Sequence, residues 1–130
     1  MPTITATFEI TGWDETVLDE PADGPKLTRA TVRKRFDGPL QATSVAELLT
    51  TQGPGGSGYL AQERVDGELE GRRGTFVLQH GGIDDAGALR AFGAVVPGSG
   101  TGELAGLRGD AAYAHDEDGA RVTITYELGC

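Results

Sequence analysis

Apolar and polar residues alternate along this chain in short runs separated by clusters of Gly, Pro and Asp. Thr3–Ile10 sets Ile4, Ala6, Phe8 and Ile10 against threonine and glutamate, the period-two pattern of a half-buried strand. Trp13 follows, and Asp14–Pro25, acidic and holding both Pro and Gly, reads as a solvated loop. Lys26–Phe36 puts Leu27, Arg29, Thr31, Arg33 and Arg35 on one face and Thr28, Ala30, Val32 and Phe36 on the other. A turn at Asp37-Gly38-Pro39 leads into Leu40–Thr51, which a flexible QGPGGSG link joins to Tyr59–Leu69, predicting a hairpin.

Gly71–Gly82 is bounded by glycines and carries the β-favouring Thr75, Phe76 and Val77, which makes it the best central strand. Asp84, Asp85 and Gly87 mark a turn before ALRAFGAVV, and Asp116–Gly119 marks another between AAYAH and RVTITYEL. The glycine-dense crossing from Gly98 to Gly109 is predicted to fold tightly onto the body and close one end, with Gly102–Leu107 alone able to turn helically. Its charges, Glu103 and Arg108, would then sit near the opening. Eight strand candidates at short intervals predict an all-β fold, a closed antiparallel eight-stranded barrel in preference to a sandwich, formed by residues 1–130 as one domain. A barrel of that size is filled by side chains or holds one small ligand.

The segments LAQERVDGELEGRRGTFVLQHGG and AVVPGSGTGELAGLRGDA, with the opening FEITGWDE and the run KLTRATVRKRFDG, resemble an uncharacterised bacterial domain-of-unknown-function family whose fold is an allene oxide cyclase-like β-barrel. The resemblance covers almost the whole chain. Related barrels include plant allene oxide cyclase and bacterial ring-forming cyclases, so it implies an apolar substrate in the lumen and chemistry without a cofactor. No copy of those cyclases' catalytic residues is identifiable here.

Composition narrows the partners. A formal charge of −9, from 11 Lys and Arg against 20 Asp and Glu, disfavours nucleic acid and anionic membranes, which need clustered cations. No apolar run approaches a spanning helix, and the N-terminus lacks a basic region followed by an apolar core, so a cytoplasmic protein is expected. The sole cysteine, Cys130, is the final residue, which rules out an intrachain disulfide and a thiolate metal site and reads as a tail thiol. His80 and His115 lack metal-ligand spacing, and no cofactor is expected. The G-x-G-x-x-A match at Gly100, Gly102 and Ala105 has no βαβ context or Walker lysine, and Ser99 lies in no nucleophile elbow.

Two residues stand out for proton chemistry. His80 ends the central strand beside two glycines; it shares a face with Phe76 and Leu78, whereas Gln79 shares the other with Thr75 and Val77. Whichever face lines the lumen brings His80 or Gln79 into it. Glu63 shares a face with Tyr59, Ala61 and Val65, an apolar setting that would raise its pKa and suit acid or base work. The competing readings are structural: a hydrogen-bonded histidine at a strand end, and an ion pair of Glu63 with one of the arginines. Glu103 and Arg108 would orient the polar end of a ligand or else bond loop backbone, and Tyr59, Tyr113 and Tyr126 would offer phenols to the cavity or pack in the core.

The reading is a small-molecule-binding barrel for an apolar metabolite, a cofactor-independent cyclase or isomerase with His80 and Glu63 moving the proton. Tyr59, Phe76, Leu78, Gln79, Glu103, Arg108 and Tyr126 would contact the ligand. The alternatives are a carrier or sensor with the same cavity, and a structural barrel with a filled lumen. Because ALRAFGAVV is apolar on both faces and a small lumen hides one, a homodimer is expected.

Overall fold

The structure, a computed structural model, describes residues 1–129, so Cys130 and the reading placed on it lie outside the described residues. Eight antiparallel strands follow in chain order: β1 (Thr3–Asp19), β2 (Lys26–Asp37), β3 (Leu40–Gln52), β4 (Gly56–Leu69), β5 (Arg72–Asp85), β6 (Ala88–Val95), β7 (Leu107–Asp116) and β8 (Gly119–Leu128). Each pairs with the next, and β8 returns to β1 to close the ring; the β6–β7 seam is the short one, with only Ala94 opposite Asp110 and Val95 opposite Gly109. No helix among the described residues is long and apolar enough to cross a membrane, a statement about helices alone.

The elements differ from the sequence pattern where pairing extends a run. The acidic stretch after Trp13 is strand as far as Asp19, because β2 supplies ladder partners along it: Trp13 faces Val32, Glu15 faces Ala30 and Val17 faces Thr28. A register shift between Ile10 and Gly12 leaves Thr11 as an extra residue, and this bulge returns Trp13 to the face that carries Phe8 and Ile10. β4 begins at Gly56 inside the glycine-rich link, and β7 begins at Leu107 inside the predicted crossing, leaving a single 3-10 turn at Gly102–Leu104.

The two ends of the ring are built differently. Phe36, Leu40, Leu69, Phe76, Leu78, Leu104, Leu107 and Ile124 are all fully buried and pack as one core at the end where β3 begins and β4 ends. The segment 96–106 folds over this end. Val96 N–H donates to Val77 O at 2.9 Å, Thr101 N–H donates to Thr75 O at 2.9 Å, and Leu104 drops into the core as a plug. Gly74 admits this approach, since a Cβ there would stand 2.0 Å from the Thr101 carbonyl oxygen. The opposite end, where β1, β3 and β5 finish, is open.

Candidate active site

Alternation along each strand decides what enters the lumen. On β4 the inward set is Ala61, Glu63 and Val65, and on β5 it is Phe76, Leu78 and His80, so Glu63 and His80 enter together while Gln62 and Gln79 point outward. β2 adds Lys34 through the face that carries Val32 and Phe36, β3 adds Ser44, and β7 adds Tyr113. These side chains converge on one carboxylate. Glu63 Oε1 accepts from Tyr113 Oη at 2.7 Å, His80 Nε2 at 2.9 Å and Lys34 Nζ at 3.2 Å, and Oε2 accepts from Ser44 Oγ at 2.5 Å. Beyond the imidazole, Tyr59 Oη lies 2.9 Å from His80 Nδ1. Lys34 Nζ is further held over the rings of Tyr113 and Phe8, 4.5 and 4.9 Å from their centroids.

The electrostatics overturn the expected direction for Glu63. Burial pushes its carboxyl up, but the hydrogen bond from His80, the Lys34 charge and the hydroxyls of Ser44 and Tyr113 outweigh that and hold it down at about 2. Glu63 is therefore an ionised acceptor and no proton donor at neutral pH. The same burial, with the Glu63 charge beside them, raises the phenol of Tyr59 and raises that of Tyr113 well above the ordinary value. Every buried side-chain nitrogen and oxygen among the described residues has a partner.

Above this polar floor lies a cavity of about 480 Å³ that opens at the unplugged end. Phe8, Ile10, Trp13, Val32, Leu48 and Leu89 form much of its apolar wall, while Tyr59, His80, Lys34 and Tyr113 supply the polar floor. Trp13 is fixed at the rim by its Nε1–H donating to Glu15 Oε1 at 3.0 Å, and Gln52 Nε2 donates to the other Glu15 oxygen at 2.9 Å. Among the described residues no three His, Asp, Glu or Cys side chains gather as a metal site.

The remaining sequence candidates fall elsewhere. Phe76 and Leu78 face inward but are sealed in the core below the floor, because the segment 96–106 closes over that half of the ring. Gln79 lies outside, its Nε2 donating to Gln62 at 3.1 Å. Glu103 and Arg108 sit at the plugged end, away from the cavity mouth; Glu103 accepts from Arg73 N–H at 3.1 Å, which is the loop-bonding role. Tyr126 is buried with the plug, and its hydroxyl donates to Glu70. Lys34, Ser44 and Tyr113 are the partners that the strand patterns did not assign to Glu63; the signal for Lys34 was a lone charge on the face carrying Val32 and Phe36.

Comparison with known proteins places the chain in a family without an assigned activity. No curated protein matches the sequence. A crystal structure of a protein of unknown function from Shewanella oneidensis MR-1, described as belonging to the DUF3224 family, superposes with a TM-score of 0.87 at 35% identity, covering 100% of this chain and 98% of that one. The family model described as "Protein of unknown function (DUF3224)" matches residues 4–128. With that match running from the first lumen residue, Ile4, to the end of β8, the chain belongs to the DUF3224 family.

Proposed function

We propose that the protein binds an apolar small molecule in the open half of its lumen and acts on it by moving a proton, as a cofactor-independent isomerase or cyclase. One observation carries this reading: an ionised, fully buried carboxylate is linked through His80 to a phenol on the wall of an apolar cavity. Burying Glu63 and Lys34 costs several kcal/mol per ion, and an apolar floor of the same volume would serve a purely structural barrel at least as well. Paired perturbed groups in a cleft are the usual mark of a functional site. The cavity itself favours this reading over a barrel with a wholly filled lumen.

The test is a metabolite-binding screen followed by product analysis, with occupancy followed by displacement of the neutral fluorophore N-phenylnaphthylamine. The fluorophore should bind the native protein, and Leu48→Trp, which fills the cavity wall, should abolish that signal. A bound metabolite returned chemically unchanged would favour the carrier or sensor reading, and fluorophore binding that survives Leu48→Trp would sink the lumen assignment.

A homodimer belongs to the same proposal. Leu27, Leu49, Leu60, Ile83 and Phe92 stand exposed on the outer faces of β2–β6 around a groove of about 970 Å³. Arg90 and Asp85 line it, and the Arg29–Glu47 pair lines the adjoining depression that shares Leu49, Leu60 and Phe92 with it, so charges of both signs border the apolar face. A two-fold copy would therefore meet complementary charge around an apolar centre.

A further inference from the structure

Resting on the lumen reading above, we infer that the group meeting the ligand is the Tyr59 hydroxyl, the terminal base of a Tyr59–His80–Glu63 relay, and that the lumen takes an apolar molecule carrying an acidic hydroxyl such as an enol or phenol. His80, although part of the cavity floor, has no free ring nitrogen to offer a ligand. Its side chain is 4% exposed, and both ring nitrogens are already engaged, Nε2 with Glu63 and Nδ1 with Tyr59. Ionised Glu63 only accepts, so Nε2 carries a hydrogen. In the neutral imidazole Nδ1 is then an acceptor, and Tyr59 donates its O–H to it. The phenol oxygen keeps its lone pairs for the cavity that Tyr59 lines.

Thr50, Thr51, Gln52, Ser57 and His115 also line the cavity, and among the described residues none of them hydrogen-bonds to His80 or Glu63. Tyr113 donates to Glu63, Trp13 donates to Glu15, and Lys34 is tied to Glu63 and to two ring faces. Asp84, at the rim, is exposed and accepts from Gly87 N–H at 2.8 Å. Tyr59 is the lining hydroxyl bonded to the imidazole, whereas the Tyr113 hydroxyl spends its proton directly on the Glu63 carboxylate.

The step balances without any co-reactant. The ligand O–H bond breaks as its proton reaches Tyr59 Oη, and the proton of Tyr59 passes to His80 Nδ1 in the same movement. The products are an imidazolium, already facing the Glu63 carboxylate, and a ligand oxyanion in a cavity whose lining includes the Lys34 ammonium. This is the carboxylate–imidazole–hydroxyl logic of nucleophile triads turned to proton abstraction, with Tyr59 the catalytic group and His80 and Glu63 its positioning residues.

Three probes of nearly equal shape test it: naphthol, its methyl ether and methylnaphthalene, each titrated by fluorescence into the full-length protein. Naphthol should bind about 10-fold more tightly than the ether, the size of one good hydrogen bond, and its bound form should show the naphtholate absorption band. In Tyr59→Phe that preference should shrink to about twofold or less and the band should vanish, with methylnaphthalene binding reporting an intact lumen. Should Tyr59→Phe fail to fold, His80→Gln, which leaves Tyr59 without its base, should likewise lose the naphtholate band. Equal affinity for naphthol and ether in the native protein, or a preference that survives both substitutions, overturns the relay while leaving the lumen reading standing. If none of the three probes binds the native protein, the lumen reading itself is wrong and the relay falls with it.

Discussion

Glu63 is the residue on which the interior turns, and its removal should show why. Glu63→Gln leaves the Lys34 ammonium buried without its counter-charge, which should destabilise the protein by roughly 3–5 kcal/mol in denaturant unfolding at neutral pH. Combining it with Lys34→Met removes both charges, so the double variant should be more stable than Glu63→Gln alone; additive losses would contradict the pairing. The pH dependence has a fixed sign. Glu63 is held down at about 2 from an ordinary value of 4.5, so its stabilisation is complete above 4.5 and is lost as pH falls through 2. That corresponds to on the order of 3 kcal/mol, and acid titration of the melting temperature should be flatter in the double variant than in the native chain. Glu63 and His80 were legible in the sequence because each shares a strand face with apolar neighbours. The sign of the Glu63 shift was not, because its partners lie 29, 19, 17 and 50 residues away along the chain, on four other strands. Burial without visible partners predicts a raised pKa; the ring closure that supplies the partners reverses it.

At the scale of elements, the segment 96–106 is what makes one end of the barrel closed and the other open. Gly74 is the point where it lands, and Leu104 is the side chain it inserts. A Cβ at position 74 would collide with backbone, the Thr101 carbonyl at 2.0 Å, so relief requires the segment to lift. Gly74→Val should therefore cost at least about 2 kcal/mol by chemical denaturation while leaving N-phenylnaphthylamine binding at the far end in place. Loss of the fluorophore site with no loss of stability would show that the crossing covers the cavity after all. The glycine-rich crossing closes an end, as its composition predicts, but the end away from the cavity mouth, so Glu103 and Arg108 lie far from the opening beside which the sequence pattern sets them. Which end a crossing closes depends on strand direction around the ring, and local spacing carries no such information. The prolongation of β1 was hidden for a related reason. Its acidic residues 14–19 read as loop by composition, and only the ladder to β2, resumed after the bulge at Thr11 and shifted once more between Val17 and Asp19, makes them strand.

For the whole molecule, the unexplained surface is the outer apolar face of β2–β6. Leu49, Leu60 and Phe92 are each more than half exposed, and Gly81 beneath them has no side chain to separate the last two; a Cβ there would lie 2.7 Å from the Phe92 ring and 3.1 Å from Leu60. Both side chains thus lean over the glycine from its two neighbouring strands, which groups these exposed apolar residues instead of scattering them singly. Opposing association is the charge of −9 on each copy, which repels at long range and is screened by salt. The balance gives a definite expectation: light scattering at micromolar concentration should return twice the 13.5 kDa chain mass, with the dimer strengthening as ionic strength rises. Leu60→Lys combined with Phe92→Lys should yield a monomer, and because both side chains point away from the lumen, N-phenylnaphthylamine should still bind it. A native chain that stays monomeric at every concentration and salt tested would leave that apolar face without a partner copy, and a dimer that persists in the double lysine variant would move the interface to another face of the ring.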